Sequence, residues 1–106
     1  MRIFGQVDGF DWDDANYRKN LIKHDVSAPE AEQVFFNAPF VVHEDLKHSA
    51  SEPRFHALGR TDEDRRLLVV FTLRGSSIRV ISARPQDRYE RKLYEKICEK
   101  ETNLLR

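Results

Sequence analysis

An α+β fold is what this sequence predicts, on three observations. Two capped helical segments follow a short apolar–acidic alternation near the N-terminus, three β-prone runs separated by tight turns lie between Arg54 and Ala83, and the chain closes on a stretch of helical period. A chain of 106 residues is long enough for one hydrophobic core and short for two, so residues 1–106 are expected to form a single domain. The expected order is β-α-α-β-β-β-α, with an extra short strand before the three main ones and the helices on one face of an antiparallel sheet.

Phe10-Asp11-Trp12-Asp13 alternates apolar and acidic side chains and reads as a short strand, after which Asp13 or Asp14 caps a first helix running to about Ile22. Tyr17 and Leu21 stand four apart on one face of that helix, beside Ile22, before Lys23-His24-Asp25 interrupts the pattern. Ser27-Ala28-Pro29-Glu30 is a capping-box start with proline in the first turn. Ala31, Val34, Phe35 and Ala38 then recur at helical spacing, so a second helix is expected to end near Asn37, ahead of Pro39. Phe40 to His43 is a short β-prone run, and Glu44 to Pro53 is polar and loop-like. Arg54 to Arg60 predicts a strand, Thr61 to Asp64 an acidic turn and Leu67 to Leu73 the core strand. Arg74 to Ser77 is a tight connection into a third strand, Ile78 to Ala83, which ends at Arg84-Pro85. From Gln86 a last helix carries Tyr89, Leu93, Tyr94, Ile97 and Cys98, to pack on the sheet or on a partner.

Apolar residues make up 40% of the chain and charged ones 34%, a balance that excludes wholesale disorder and fibrous repeats. No apolar run approaches the roughly 20 residues that span a bilayer, and Met1 to Asp11 lacks the basic start and apolar centre of a signal peptide, so no membrane association and a cytoplasmic location are expected. Cys98 is the only cysteine, which excludes an intrachain disulfide and any cysteine-based zinc or redox motif. Net charge is zero, but it is unevenly spread: residues 1–53 hold five Lys or Arg against ten Asp or Glu, whereas residues 54–92 hold ten against five. Nine of those ten are arginine, whose planar fork suits two-pronged contact with phosphate. On charge alone this reads either as a nucleic-acid surface or as a solvated sheet face.

Several stretches resemble the BrnT family of toxins. They are Phe10-Asp11-Trp12-Asp13 with Asn16 and Asn20, then Lys23-His24-Asp25-Val26-Ser27, Glu30-Ala31 and Glu52-Pro53-Arg54. Leu67-Leu68-Val69-Val70 follows, then Arg74-Gly75, Ile78 through Arg84, Glu90-Arg91 and Tyr94, in the family's order and approximate spacing. The resemblance runs from about Phe10 to Tyr94 and implies a RelE-like fold and a type II toxin. Such a toxin is a metal-independent endoribonuclease, without a cofactor, that cuts RNA and arrests translation and growth. It also implies neutralisation by a BrnA-like ribbon-helix-helix antitoxin, through which alone the chain would touch operator DNA. Two departures stand out: Asp25 where the family usually has glycine, and extra residues before Phe10. Asp tolerates the left-handed conformation better than most residues, so the turn is expected to survive the change.

Cleaving RNA without a metal takes a base for the 2′-hydroxyl proton, cationic donors for the phosphorane charge and an acid for the leaving oxygen. His24 is the foremost acid–base candidate, because imidazole changes charge near neutral pH, and Asp25 beside it would raise its pKa if the side chains met. The bland alternative is a histidine offsetting a helix dipole. Glu52 is either a base, an orienter of a guanidinium or half of a surface ion pair. Strict alternation along the third strand puts Arg79 with Ile81 and Ala83, opposite Ile78, Val80 and Ser82, so Arg79 reads as projecting from a mostly apolar face. It would then have a buried partner, Glu52 being one candidate, or hold phosphate in a cleft. Arg84, at the strand's end, completes the catalytic candidates His24, Glu52, Arg79 and Arg84. Lys23, Arg54, His56, Arg60 and Arg74 are candidate RNA contacts. His43 and His48 lack clustered partners in sequence, and no metal site is expected. Trp12, Phe55, Phe71 and Tyr89 read as core aromatics before base-stacking ones.

Two other functions compete. A helix followed by three strands and a helix also suits a non-catalytic double-stranded RNA-binding module, although Gln86-Asp87-Arg88-Tyr89-Glu90 lacks the lysine-rich helix start of those domains. An inactive toxin relative that only binds its antitoxin is the other.

Overall fold

The computed structural model describes residues 7–48 and 52–104. The first six residues of the stretch read for a leader, and residues 49–51 of the expected loop, lie outside that description. The elements are β1 (Gly9–Phe10), α1 (Asp14–His24), α2 (Ala28–Gln33), β2 (Val41–Glu44), β3 (Arg54–Arg60), β4 (Arg66–Arg74), β5 (Ser77–Pro85) and α3 (Arg88–Leu104). Single 3-10 turns at Val34–Phe36 and Leu46–His48 follow α2 and β2. The chain is thus α+β, with three helices and five strands. α2 is shorter than its apolar spacing implied, since Val34 and Phe35 reach the core from the 3-10 turn instead.

Five strands pair in the order β1-β5-β4-β3-β2. β2 through β5 are antiparallel neighbours, but β1 runs parallel to β5, Gly9 facing Ser77 and Phe10 facing Ile78, so the sheet is mixed, not antiparallel throughout. β1 covers only the start of β5, and α1 seals the rest of that edge with side chains. The Asn16 amide donates to the Val80 carbonyl (3.3 Å) and the Lys19 ammonium to the Ile81 carbonyl (3.4 Å). The buried Asn20 accepts from the Ala83 N–H through its side-chain oxygen (3.0 Å). An exposed strand edge is thereby occupied by a helix.

The caps of the first two helices follow their sequence signals. The Asp13 carboxylate accepts from the Asn16 N–H at the start of α1, and Ser27 and Glu30 form a reciprocal capping box at the start of α2. α1 ends on Asp25, which takes the left-handed conformation (φ 54°) where a glycine would be at ease, and its N–H returns to the Asn20 and Leu21 carbonyls. Arg65 clamps this end, donating to the carbonyls of Asp25 (2.6 Å) and His24 (3.3 Å) and pairing with Glu30 (3.0 Å).

One face of the sheet carries the main core: Ala57, Leu67, Val69, Phe71, Ile78, Val80 and Ala83 pack with Val26, Ala31, Val34 and Phe35. β3 approaches the Val34 turn so closely at Gly59 that a Cβ there would collide with the Val34 side chain. α3 lies on the opposite face, where Tyr94 packs with Leu58 and Leu68 and donates to the Pro39 carbonyl (2.6 Å). Burial pushes the Tyr94 phenol up to about 12. The helices thus occupy both faces rather than one. Tyr89, one of the expected core aromatics, is 77% exposed on α3, while Phe71 is buried and Phe55 stacks on it.

The expected parity of β5 also fails, for a local reason. Ser82 faces Val70 and Val80 faces Phe71, so Ile81 is an extra residue bulged out of the ladder. The bulge shifts the alternation: Ala83 joins Ile78 and Val80 on the core face, and Arg79, Ser82 and Arg84 share the other.

Candidate nucleic-acid interface

β3, β4 and β5 contain six arginines, Arg54, Arg60, Arg66, Arg74, Arg79 and Arg84. Register puts every one on the face opposite the main core. Arg54 faces Thr72, which faces Arg79; Arg60 faces Arg66; Leu68 faces Arg84; and Arg74 faces Ser77. Without the bulge, the five-residue step from Arg79 to Arg84 would send the two to opposite faces.

Carboxylates hold Arg60, Arg66, Arg74, Arg79 and Arg84. Arg79, whose side chain is 18% exposed, bridges Asp11 (3.1 Å) and Asp13, the latter also the cap of α1. Arg84 makes a two-pronged pair with Glu90 on α3 (2.8 and 3.0 Å). Arg66 pairs with Asp64 and lies over the Tyr94 ring, while Arg60 donates to the Ala38 carbonyl (2.8 Å) with Asp64 at 3.7 Å. Arg74 meets Glu52 at 3.5 Å. The suggested partnership of Glu52 with Arg79 is therefore overturned, because Glu52 sits at the β4–β5 turn end and the two aspartates of the β1–α1 junction reach Arg79 first. Arg79 is also not on an apolar face, for the bulge sets it among Arg54, Thr72 and Ser82.

His24 closes α1 at the end of the sheet where β5 finishes. Its pKa is lowered from 6.5, first by desolvation and then by the cations Lys23, Arg84 and Lys19. The expected rise through Asp25 is reversed, since Asp25 serves as a left-handed cap and does not figure among the groups that set the imidazole's charge. His24 and Arg84 are thus brought within electrostatic reach of each other, with Lys23 exposed beside them. Glu52 and Arg79 lie at the opposite end of β5, by the β4–β5 turn.

Sequence reasoning missed a cluster around Asp45. Its Oδ2 accepts from His48 Nδ1 (2.8 Å) and His56 Nε2 (3.0 Å), and the His43 ring centroid lies 5.5 Å from that of His56. The pairing His43–His56 puts both rings on the arginine face. The hydrogen bond from His48, and then that from His56, hold the Asp45 carboxyl below its ordinary value. The signal was the β2–β3 hairpin, which folds residues eleven apart onto one another and so groups histidines that look isolated along the chain. Among the described residues, no three His, Cys, Asp or Glu are placed to hold a metal ion.

The chain matches the family model described as ribonuclease toxin, BrnT, of type II toxin-antitoxin system, over residues 12–90. It belongs to the BrnT toxin family. No curated protein matches it. Its structure is similar to the 1.1 Å crystal structure of the Brucella abortus ribonuclease toxin BrnT, with a TM-score of 0.59 and 23% identity over 76% of this chain and 97% of that one. At that identity the likeness shows a shared fold. The BrnT match spans β3, β4 and β5 with all six arginines, and stops at Glu90, the partner of Arg84. A type II toxin is paired with an antitoxin, and among the described residues no helix of this BrnT-family chain is long and apolar enough to cross a membrane.

Proposed function

We propose that this chain is a RelE-like, metal-independent endoribonuclease, one toxin domain that cuts RNA, stops translation and growth, and is silenced in the cytoplasm by a ribbon-helix-helix antitoxin. The observation that carries this reading is the gathering of six strand arginines on one sheet face within a ribonuclease-toxin family. Guanidinium groups on a shared face suit a phosphate backbone, and their carboxylate partners hold them extended until phosphate competes for the same donors. Arg79 and Arg84 are the donors assigned to the phosphorane charge, and His24, uncharged at neutral pH beside Arg84, takes part in proton exchange. Lys23, Arg54, His56, Arg60 and Arg74 contact the RNA, and Glu52 orients Arg74. Operator DNA is met only through the antitoxin.

The test is expression under tight control, with and without the adjacent antitoxin gene, and incubation of purified protein with RNA and a chelator. Growth arrest relieved by the antitoxin, with RNA cut despite the chelator, supports the reading. Folded Arg84→Ala and Arg79→Ala protein should each lose about 10²–10³-fold in cleavage rate. Folded wild-type protein that neither arrests growth nor cuts RNA would instead indicate an inactive relative.

A further inference from the structure

The centre of the arginine face is occupied by a histidine. Across the strands, one row of side chains runs His43, His56, Val70, Ser82, flanked on one side by the row Arg54, Thr72, Arg79 and on the other by Val41, Leu58, Leu68, Arg84. Strands lie about 4.8 Å apart and same-face neighbours about 6.8 Å along a strand, so Arg79 and Arg84 each stand two strands and one step from His56, roughly 12 Å between Cα atoms. Val70 packs at the rim of the Leu58–Leu68–Tyr94 cluster under α3, and Ser82 beside it is small, so a phosphodiester reached by the arginines and by the imidazole would lie along the margin of that roof.

We propose that His56, positioned by Asp45, is the general base of RNA cleavage on this face. The assignment rests on the nuclease reading above. Asp45 is only 14% exposed at its side chain and is kept ionised by the imidazoles around it. An ionised carboxylate only accepts, so the nitrogens facing it, His48 Nδ1 and His56 Nε2, are N–H donors. That fixes the neutral tautomer of His56 and leaves the lone pair on Nδ1, the arrangement in which a carboxylate behind an imidazole prepares it to accept a proton. The His56 side chain is 30% exposed, enough to meet substrate.

In the step itself, His56 Nδ1 takes the 2′-hydroxyl proton as O2′ bonds to phosphorus. The P–O5′ bond breaks, and O5′ takes a proton from water, the resulting hydroxide being neutralised when His56 releases its proton. The products are a 2′,3′-cyclic phosphate and a 5′-hydroxyl, with no change of oxidation state.

Cleavage of a short single-stranded RNA in the presence of a chelator tests this. His56→Gln keeps an N–H toward Asp45 but cannot take a proton, and should lower kcat by about 10²–10⁴-fold with KM within about threefold of wild type. Imidazole added to the buffer should restore part of the activity of His56→Ala, which a packing role would not allow. Asp45→Asn should lower kcat, and combining it with His56→Gln should cost nothing beyond His56→Gln alone, as for residues acting as a unit. With active wild type, a folded His56→Gln that cuts at the wild-type rate, or a slow His56→Ala that ignores imidazole, overturns the role of His56. Folded wild type that cuts no RNA overturns the nuclease reading and this role with it.

Discussion

Alternate residues of β3, β4 and β5 face opposite ways and meet opposite conditions. Ala57, Leu67, Val69, Phe71, Ile78, Val80 and Ala83 are sealed against α2 and the turn after it, whereas Arg54, Arg60, Arg66, Arg74, Arg79 and Arg84 stand on the other side, only partly roofed by α3. The first face stabilises by removing apolar area from water. On the second, Tyr94, Leu58 and Leu68 add a smaller apolar cluster, while the arginine ion pairs add little, because solvent and side-chain entropy mostly offset them. The contrast separates what holds the molecule together from what it presents to a polyanion.

Substitutions on the two faces should therefore be read by different instruments. Phe71→Ala, in the middle of the sealed face, should cost about 3–5 kcal/mol, seen as a lower urea midpoint. Arg84→Ala should instead leave stability within about 1 kcal/mol of wild type, its pair with Glu90 being partly exposed, while removing most RNA cleavage. If it unfolds the protein, the distinction between the faces fails. Gly59→Ala forces a methyl into the Val34 side chain and should cost about 1–3 kcal/mol, and restoring stability with Val34→Ala in the same chain would confirm that contact. Asn20→Ala should leave the Ala83 N–H at the sheet edge without its acceptor, for about 1–3 kcal/mol, with faster hydrogen exchange at that amide as the local readout.

The smallest effect is a pH slope. The His24 pKa is lower folded than its ordinary 6.5, so the unfolded chain binds the proton first as pH falls. Stability from this residue is present above 6.5 and is lost as pH drops from there toward the lowered folded value. Urea midpoints of wild type and His24→Gln should converge as acid is added, the variant lacking that part of the slope.

The elements were mostly legible: β3 runs from Arg54 to Arg60, as its composition and flanking turns indicate, and the capping box at Ser27 opens α2. The faces were not. β5 alternates regularly in sequence, and the bulge at Ile81 exists only in its pairing with β4. The same limit hid the site, since the partners of Arg79 come from residues 66 and 68 positions earlier and those of Asp45 from the return of a hairpin. Arg65, read only as part of a basic segment, proves to tie down the end of α1 that carries His24.

The ties between β5 and the N-terminal elements also set an order of events. Asn16 with Val80, Asn20 with Ala83, and Asp11 and Asp13 with Arg79 join residues more than 60 positions apart. On the ribosome, His24 emerges before β5, and Arg79 and Arg84 are arranged only when β5 docks. A BrnT-family chain built this way has no complete arginine face until β5 has been made and has docked on the elements that precede it.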